Sequence, residues 1–163
     1  MKELGYFFIA FMAVLFLASC ECDSIFRKAD CCQTKYPCKN GGVCLDGGCE
    51  CSEGYEGDTC ETMSRYKFIS RYKGYDSRDS TPYIIEIKAD NKADSKVRID
   101  NFYNANTQIT ATVKAKKIYF SNQMIDSSRT INATGILNDS LIYFDYTIEN
   151  TAISGFFQGK KLR

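Results

Sequence analysis

The segment from Cys32 to Cys60 constrains this chain most. It holds six cysteines, separated by five, five, four, one and eight residues, among glycines and a proline and almost without aliphatic side chains. Such a segment cannot bury enough apolar surface to fold by hydrophobic burial alone. It has to be cross-linked, and cross-links of this kind persist in an oxidising compartment.

The N-terminus points to that compartment. A charged start, Met1 to Gly5, is followed by an apolar run from Tyr6 to Ala18, shorter than the roughly twenty residues that a membrane-spanning helix needs. This pattern reads as a secretion signal over residues 1–19. Leu17-Ala18-Ser19-Cys20 resembles the lipobox of bacterial lipoproteins, in which the bond before the cysteine is cut. The resemblance implies a diacylglycerol thioether on Cys20 and an acylated amine, enough acyl chain to hold a folded domain on a bilayer. It also implies a bacterial cell envelope, with the outer membrane favoured and the protein periplasmic or surface-exposed. An ordinary signal peptide and an uncleaved anchor are the alternatives. Cysteine parity favours the lipobox: the chain has nine cysteines, an odd number that leaves one thiol over. Acylating Cys20 leaves eight, which pair completely.

Residues 20–30 read as a tether, 31–61 as the stapled module, 62–65 as a linker and 66–163 as a second domain. The array from Cys32, with its ending Cys49-Glu50-Cys51-Ser52-Glu53-Gly54-Tyr55 and then Cys60, resembles an EGF-like domain. Spacing alone allows fifteen connectivities. The family's pattern implies Cys32 to Cys44, Cys38 to Cys49 and Cys51 to Cys60, which leaves Cys22 and Cys31 as the remaining pair. The register could equally begin at Cys31, with Cys32 joined to Cys22, and a strained vicinal Cys31–Cys32 bridge ranks last. The cysteines lack the two-residue gap of a zinc site and the chain has no histidine, so no metal is expected. Asp30 and Asp46 form an incomplete calcium set, and no cofactor is expected.

Beyond Glu61 the cysteines stop, and β-branched and aromatic residues alternate with polar ones. Eight strands are expected: Tyr66 to Tyr75, Tyr83 to Ala89, Lys96 to Phe102, Gln108 to Ala115, Lys117 to Ser121, Arg129 to Leu137, Ser140 to Ile148 and Ala152 to Lys160. Alternation in the seventh suggests a strand covered on both sides. No stretch keeps a helical period. The fold class is therefore mostly β: a small disulfide-rich module plus an up-and-down antiparallel barrel of about eight strands, closed to remove its edges, with a β-sandwich as the alternative. The strand order, Asn101-Phe102 after the third strand and the rhythm of Gly135, Leu137, Ile142 and Tyr146 resemble a lipocalin-like (calycin) barrel.

The composition removes several functions. Without histidine, serine and cysteine nucleophiles lack their usual base, and Asp79, Glu86, Asp100 and Asp145 show no pairing in sequence, so no catalytic residue is expected. A net charge of +1 does not suit nucleic acid. Arg65, Lys67, Arg71, Lys73, Lys114, Lys116, Lys117, Lys160, Lys161 and Arg163 weight the second domain toward basic, as solvated faces or as a basic surface. Tyr66, Tyr72, Tyr75, Tyr103, Tyr119, Tyr143 and Tyr146 are candidates to line a barrel interior. The expected molecule is a monomeric, non-enzymatic lipoprotein. Its module serves as spacer or contact surface, and its barrel binds a protein or glycan partner. A small-ligand carrier and an uncharacterised hydrolase are the alternatives.

Overall fold

The computed structural model describes residues 36–163. The signal segment, the whole tether with Cys20 and Cys22, and Cys31 and Cys32 lie outside the described residues. The module opens with a turn at Asn40-Gly41, both at positive φ, where the Asn40 side chain donates to the Cys60 carbonyl at 2.7 Å. It continues as a hairpin of β1 (Val43–Leu45) and β2 (Gly48–Glu50). Asp46 and Gly47 join these strands, both at positive φ, which a two-residue turn needs to match the strand twist. A second small ladder pairs β3 (Tyr55–Glu56) with β4 (Thr62–Met63).

Cys38 is bonded to Cys49 and Cys51 to Cys60, the second to fourth and fifth to sixth cysteines of the array. Cys44 is disulfide-bonded as well. Cys32, its expected partner, lies outside the described residues.

Residues 62–65, expected as a linker, are folded. Thr62 and Met63 are β4, and a 3-10 turn, Ser64–Lys67, follows at once. Ser64 is fully buried, its amide donating to the Gly54 carbonyl at 2.8 Å. The next buried side chain, Phe68, already belongs to the barrel core. The first barrel strand consequently starts at Ser70 rather than Tyr66.

The barrel strands are β5 (Ser70–Asp76), β6 (Asp79–Ala89), β7 (Lys96–Asp100), β8 (Gln108–Lys114), β9 (Lys117–Met124), β10 (Thr130–Asn138), β11 (Leu141–Ile148) and β12 (Ser154–Lys161). Each pairs antiparallel with the next, and β12 pairs with β5, from Phe157 opposite Asp76 to Lys161 opposite Tyr72. Closure leaves no edge strand in the barrel, so the sandwich alternative is excluded. At the seam the backbones must approach closely: a Cβ on Gly74 would lie 2.1 Å from the Gln158 carbonyl oxygen. Pro82 falls inside β6, beside the register shift between Gly74 and Asp76. A residue without an amide hydrogen is tolerated at such a bulge.

Alternation decides the two faces. In β11, Ile142, Phe144, Tyr146 and Ile148 point inward and are buried, whereas Leu141 and Tyr143 face out at 44% and 36% exposure. The strand is therefore covered on one side only, contrary to the sequence reading, because the second layer that a doubly covered strand requires does not exist outside a barrel. Gly135 faces inward where a Cβ would meet the Phe144 ring at 2.5 Å. Its lack of a side chain makes room for that ring.

Candidate binding surfaces

One end of the barrel carries the module. Tyr55 of β3 donates its hydroxyl to Asp94 at 2.5 Å, in the loop between β6 and β7. Arg65 spans the junction, donating to the carbonyls of Asp90 and Ala93 at 2.9 and 3.0 Å and lying 3.5 Å from the Asp94 carboxylate. Lys67 reaches both oxygens of Glu56 at 2.6 Å. Ion pairs at partly exposed sites contribute little singly. What fixes the joint is backbone: Gly54, at φ +93°, sits so close to Ser95 that a Cβ would be 2.8 Å from its amide nitrogen. Arg65 and Lys67 thus serve this joint and are not part of a free basic surface. Lys73 and Lys160, and Lys114 and Lys117, are register neighbours near the same end.

The other end is plugged. The loop between β7 and β8 makes a short 3-10 turn, Phe102–Asn104, and drives Phe102 into the lumen. Its ring packs edge-on against Phe120 at 5.2 Å, Phe144 at 5.1 Å and Tyr146 at 6.2 Å, the geometry aromatic quadrupoles prefer. Asn101 and Tyr103 on either side take φ of 61°, and the Asn101 amide holds the loop by donating to the Ile84 carbonyl at 2.9 Å. With Tyr72, Phe157 and the aliphatic residues of β6 to β11, these rings fill the axis. The carrier alternative needs an open lumen, and side chains occupy it here.

Beside the plug, Tyr146 donates its hydroxyl to buried Asp76 at 2.7 Å. Burial, reinforced by that carboxylate, raises the Tyr146 phenol above its ordinary pKa. Burial also raises the neighbouring Tyr83, whose buried hydroxyl has no hydrogen-bond partner. The guanidiniums of Arg78 and Arg129 lie 5.6 and 5.7 Å from the centre of the Tyr103 ring. A recess of about 260 Å³ opens here, between Asp76, Arg78, Tyr83 and Tyr103.

Asp126, in the loop between β9 and β10, shows how tightly this end is held. It accepts from the Ser128 amide at 2.9 Å and from Arg129, through the amide at 2.8 Å and Nε at 2.6 Å. Those bonds lower its pKa from 3.8 to about 2. Asp79 and Glu149 are lowered too, by the Thr81 amide and by Asn132. Across that window the unfolded chain binds more protons, so stability is complete above about pH 5 and declines as the pH falls toward about 2. Thermal unfolding followed down through this range should show the decline, and Asp126→Asn should flatten it. An unchanged acid limb in that variant would remove Asp126 as its source.

The outer wall has two unlike halves. Over β6 and β7, Lys88 lies 2.8 Å from Glu86 and 3.0 Å from Asp100, and Arg98 is 3.7 Å from Asp100. Two of the carboxylates that looked unpaired in sequence are thus register partners, with a lysine between them. Over β9 to β12 and β5, by contrast, Tyr75, Tyr119, Ile136, Leu141 and Tyr143 are between 36% and 48% exposed. Tyr143 stacks on Phe156 at 5.3 Å. An open groove of about 810 Å³ runs through this half, floored by Ser121, Thr134, Thr147 and Ser154 and flanked by Tyr119 and Phe156.

Of the tyrosines expected to line the interior, Tyr72 and Tyr146 do so and Tyr103 stands at the plugged end. Tyr66, Tyr75, Tyr119 and Tyr143 face outward. Parity could have separated them: Tyr72 and Tyr75, or Tyr143 and Tyr146, are three apart on one strand and must point to opposite faces. Among the described residues, no group of three or more His, Cys, Asp or Glu side chains is placed to hold a metal ion.

The fold defines a two-part β protein, a disulfide-stapled module fixed to one end of a closed, side-chain-filled barrel. Residues 32–59 match the family of EGF-like domains. The chain is similar to Protein glp-1 of Caenorhabditis elegans, 58% identical over 31 residues, which are 18% of this chain and 2% of that protein. The chain thus spans a very small part of that relative's length. The family match ends before the barrel begins, and no solved structure matches the chain.

Proposed function

We propose that the protein is a non-enzymatic, membrane-anchored lipoprotein of a bacterial cell envelope that displays its barrel as a binding domain on an EGF-like spacer. The observation that carries this reading is the combination of a filled lumen with a fixed joint. Ligand cannot be stored inside the barrel, so recognition falls to its outside. The joint at Gly54, Arg65 and Lys67 turns the module into a stiff support rather than a swivel.

Support for the anchor comes from the apolar run, Tyr6 to Ala18, that leads directly to Cys20 and from the parity of the cysteines. Two acyl chains at about 0.8 kcal/mol per buried CH₂ suffice for stable attachment. On this reading the protein partitions into the detergent phase of a cloud-point extraction, and mass spectrometry of its N-terminal peptide shows a thioether lipid on Cys20. Cys20→Ser moves it to the aqueous phase. An unmodified thiol at a mature N-terminus, or unchanged partitioning of the variant, defeats the anchor.

A further inference from the structure

The geometry points to the outer groove over β9 to β12 as a binding site for a glycan chain that is uncharged or carries amino groups. This rests on the reading of the barrel as an outward-facing binding domain and names what it binds.

The groove lies along one register row. Tyr119, Thr134, Asp145 and Phe156 are successive neighbours across β9, β10, β11 and β12. Three interstrand spacings separate the two aromatic residues by about 14 Å. Between them the outward positions are small and hydroxylated: Thr134, with Thr147 and Ser154 on the next row. The result is a polar floor between aromatic walls, and Phe156 is braced by Tyr143 stacked behind it.

A sugar ring matches both parts, because its C–H face stacks on an aromatic ring while its hydroxyls exchange hydrogen bonds with side-chain hydroxyls and amides. Charge narrows the choice. No Lys or Arg lines the groove, and its one ionisable carboxylate, Asp145, is central. Glu149 adds a second negative group at the margin, held 2.9 Å from the Asn132 amide of the groove wall. Sulfated, phosphorylated or uronic-acid glycans would be repelled, whereas neutral sugars are accepted and an amino group is attracted to Asp145. The surface over β6 and β7 differs in kind, a run of ion pairs among Glu86, Lys88 and Asp100 without an aromatic wall.

The test is titration calorimetry on the full chain in detergent, with cello-oligosaccharide and chito-oligosaccharide hexamers as neutral probes, a chitosan hexamer as the amino probe and a heparin hexamer as the acidic one. Neutral and amino probes should bind and heparin should not. Tyr119→Ala should weaken binding by about tenfold, the scale of one lost stacking contact with its buried area. Thr134→Arg, at an exposed floor position, should abolish binding of the neutral probes. Asp145→Asn should weaken the amino probe selectively. Unchanged unfolding temperatures will show that these surface variants fold. The assignment is overturned if no neutral or amino hexamer binds at millimolar concentration, if heparin binds best, or if the three variants leave the affinities unchanged. A chain that enters detergent yet ignores every sugar defeats the groove alone. A chain that binds sugar but stays in water defeats only the anchor.

Discussion

Phe102→Ala should lower the unfolding free energy by about 3–5 kcal/mol, the range for truncating a large, fully buried aromatic residue. Phe102 has no exposure and is in ring contact with Phe120, Phe144, Tyr146 and Phe157. It enters from a loop, so its removal deletes the plug without touching the ladder that closes the barrel. The expected result is a weaker barrel with the same strands and a cavity near its axis. Denaturant unfolding measures the first, and binding of a small apolar probe that the parent chain does not take up measures the second. A loss below about 1 kcal/mol would mean that the plug is not part of the core.

Replacing Cys51 and Cys60 together by serine should cost about 2–5 kcal/mol and fall on the module. Among the described cysteines Cys60 is the fully buried one, and the Cβ that Gly42 lacks would lie 2.7 Å from its sulfur, so this bridge sits at the packed centre of the module. The bridge closes the loop that carries Gly54, Tyr55 and Glu56, the three module residues that grip the barrel. Limited proteolysis should then cut between residues 51 and 60 while the barrel resists. Simultaneous loss of both parts would show instead that the joint couples them into one cooperative unit, and unaltered protease resistance would contradict the importance of the bridge.

The eight barrel strands were legible because alternation over five to eleven residues has a period no other structure shares, and the turns at Asn91 to Asp94 and Asn138-Asp139 carry their own chemistry. The Phe102 plug was not. Asn101-Phe102 at a strand end gives no sign that the ring turns inward, since that depends on the positive φ of the residues on either side, Asn101 and Tyr103, and on the partner rings of Phe120 and Phe144 on distant strands. The folded state of residues 62–65 was hidden for a similar reason: a short polar stretch reads as a linker until its contacts with Gly54 and Asp94 exist. Tyr119 and Tyr143 were read as candidates to line the interior and instead face outward, an error of strand parity.

The cysteine array by itself determined that the first module is stapled and EGF-like, because spacing and glycine placement are local properties. Composition and alternation determined the mostly β class and the number of barrel strands in the same way. Only the tertiary structure decided that the barrel closes, that its lumen is filled, that the module is fixed to one end and that the aromatic half of the wall faces solvent. Each of these depends on residues far apart in sequence, Asp76 with Phe157, Phe102 with Phe144, Tyr55 with Asp94 and Tyr119 with Phe156. Their juxtaposition is set by register and closure, which no local pattern encodes.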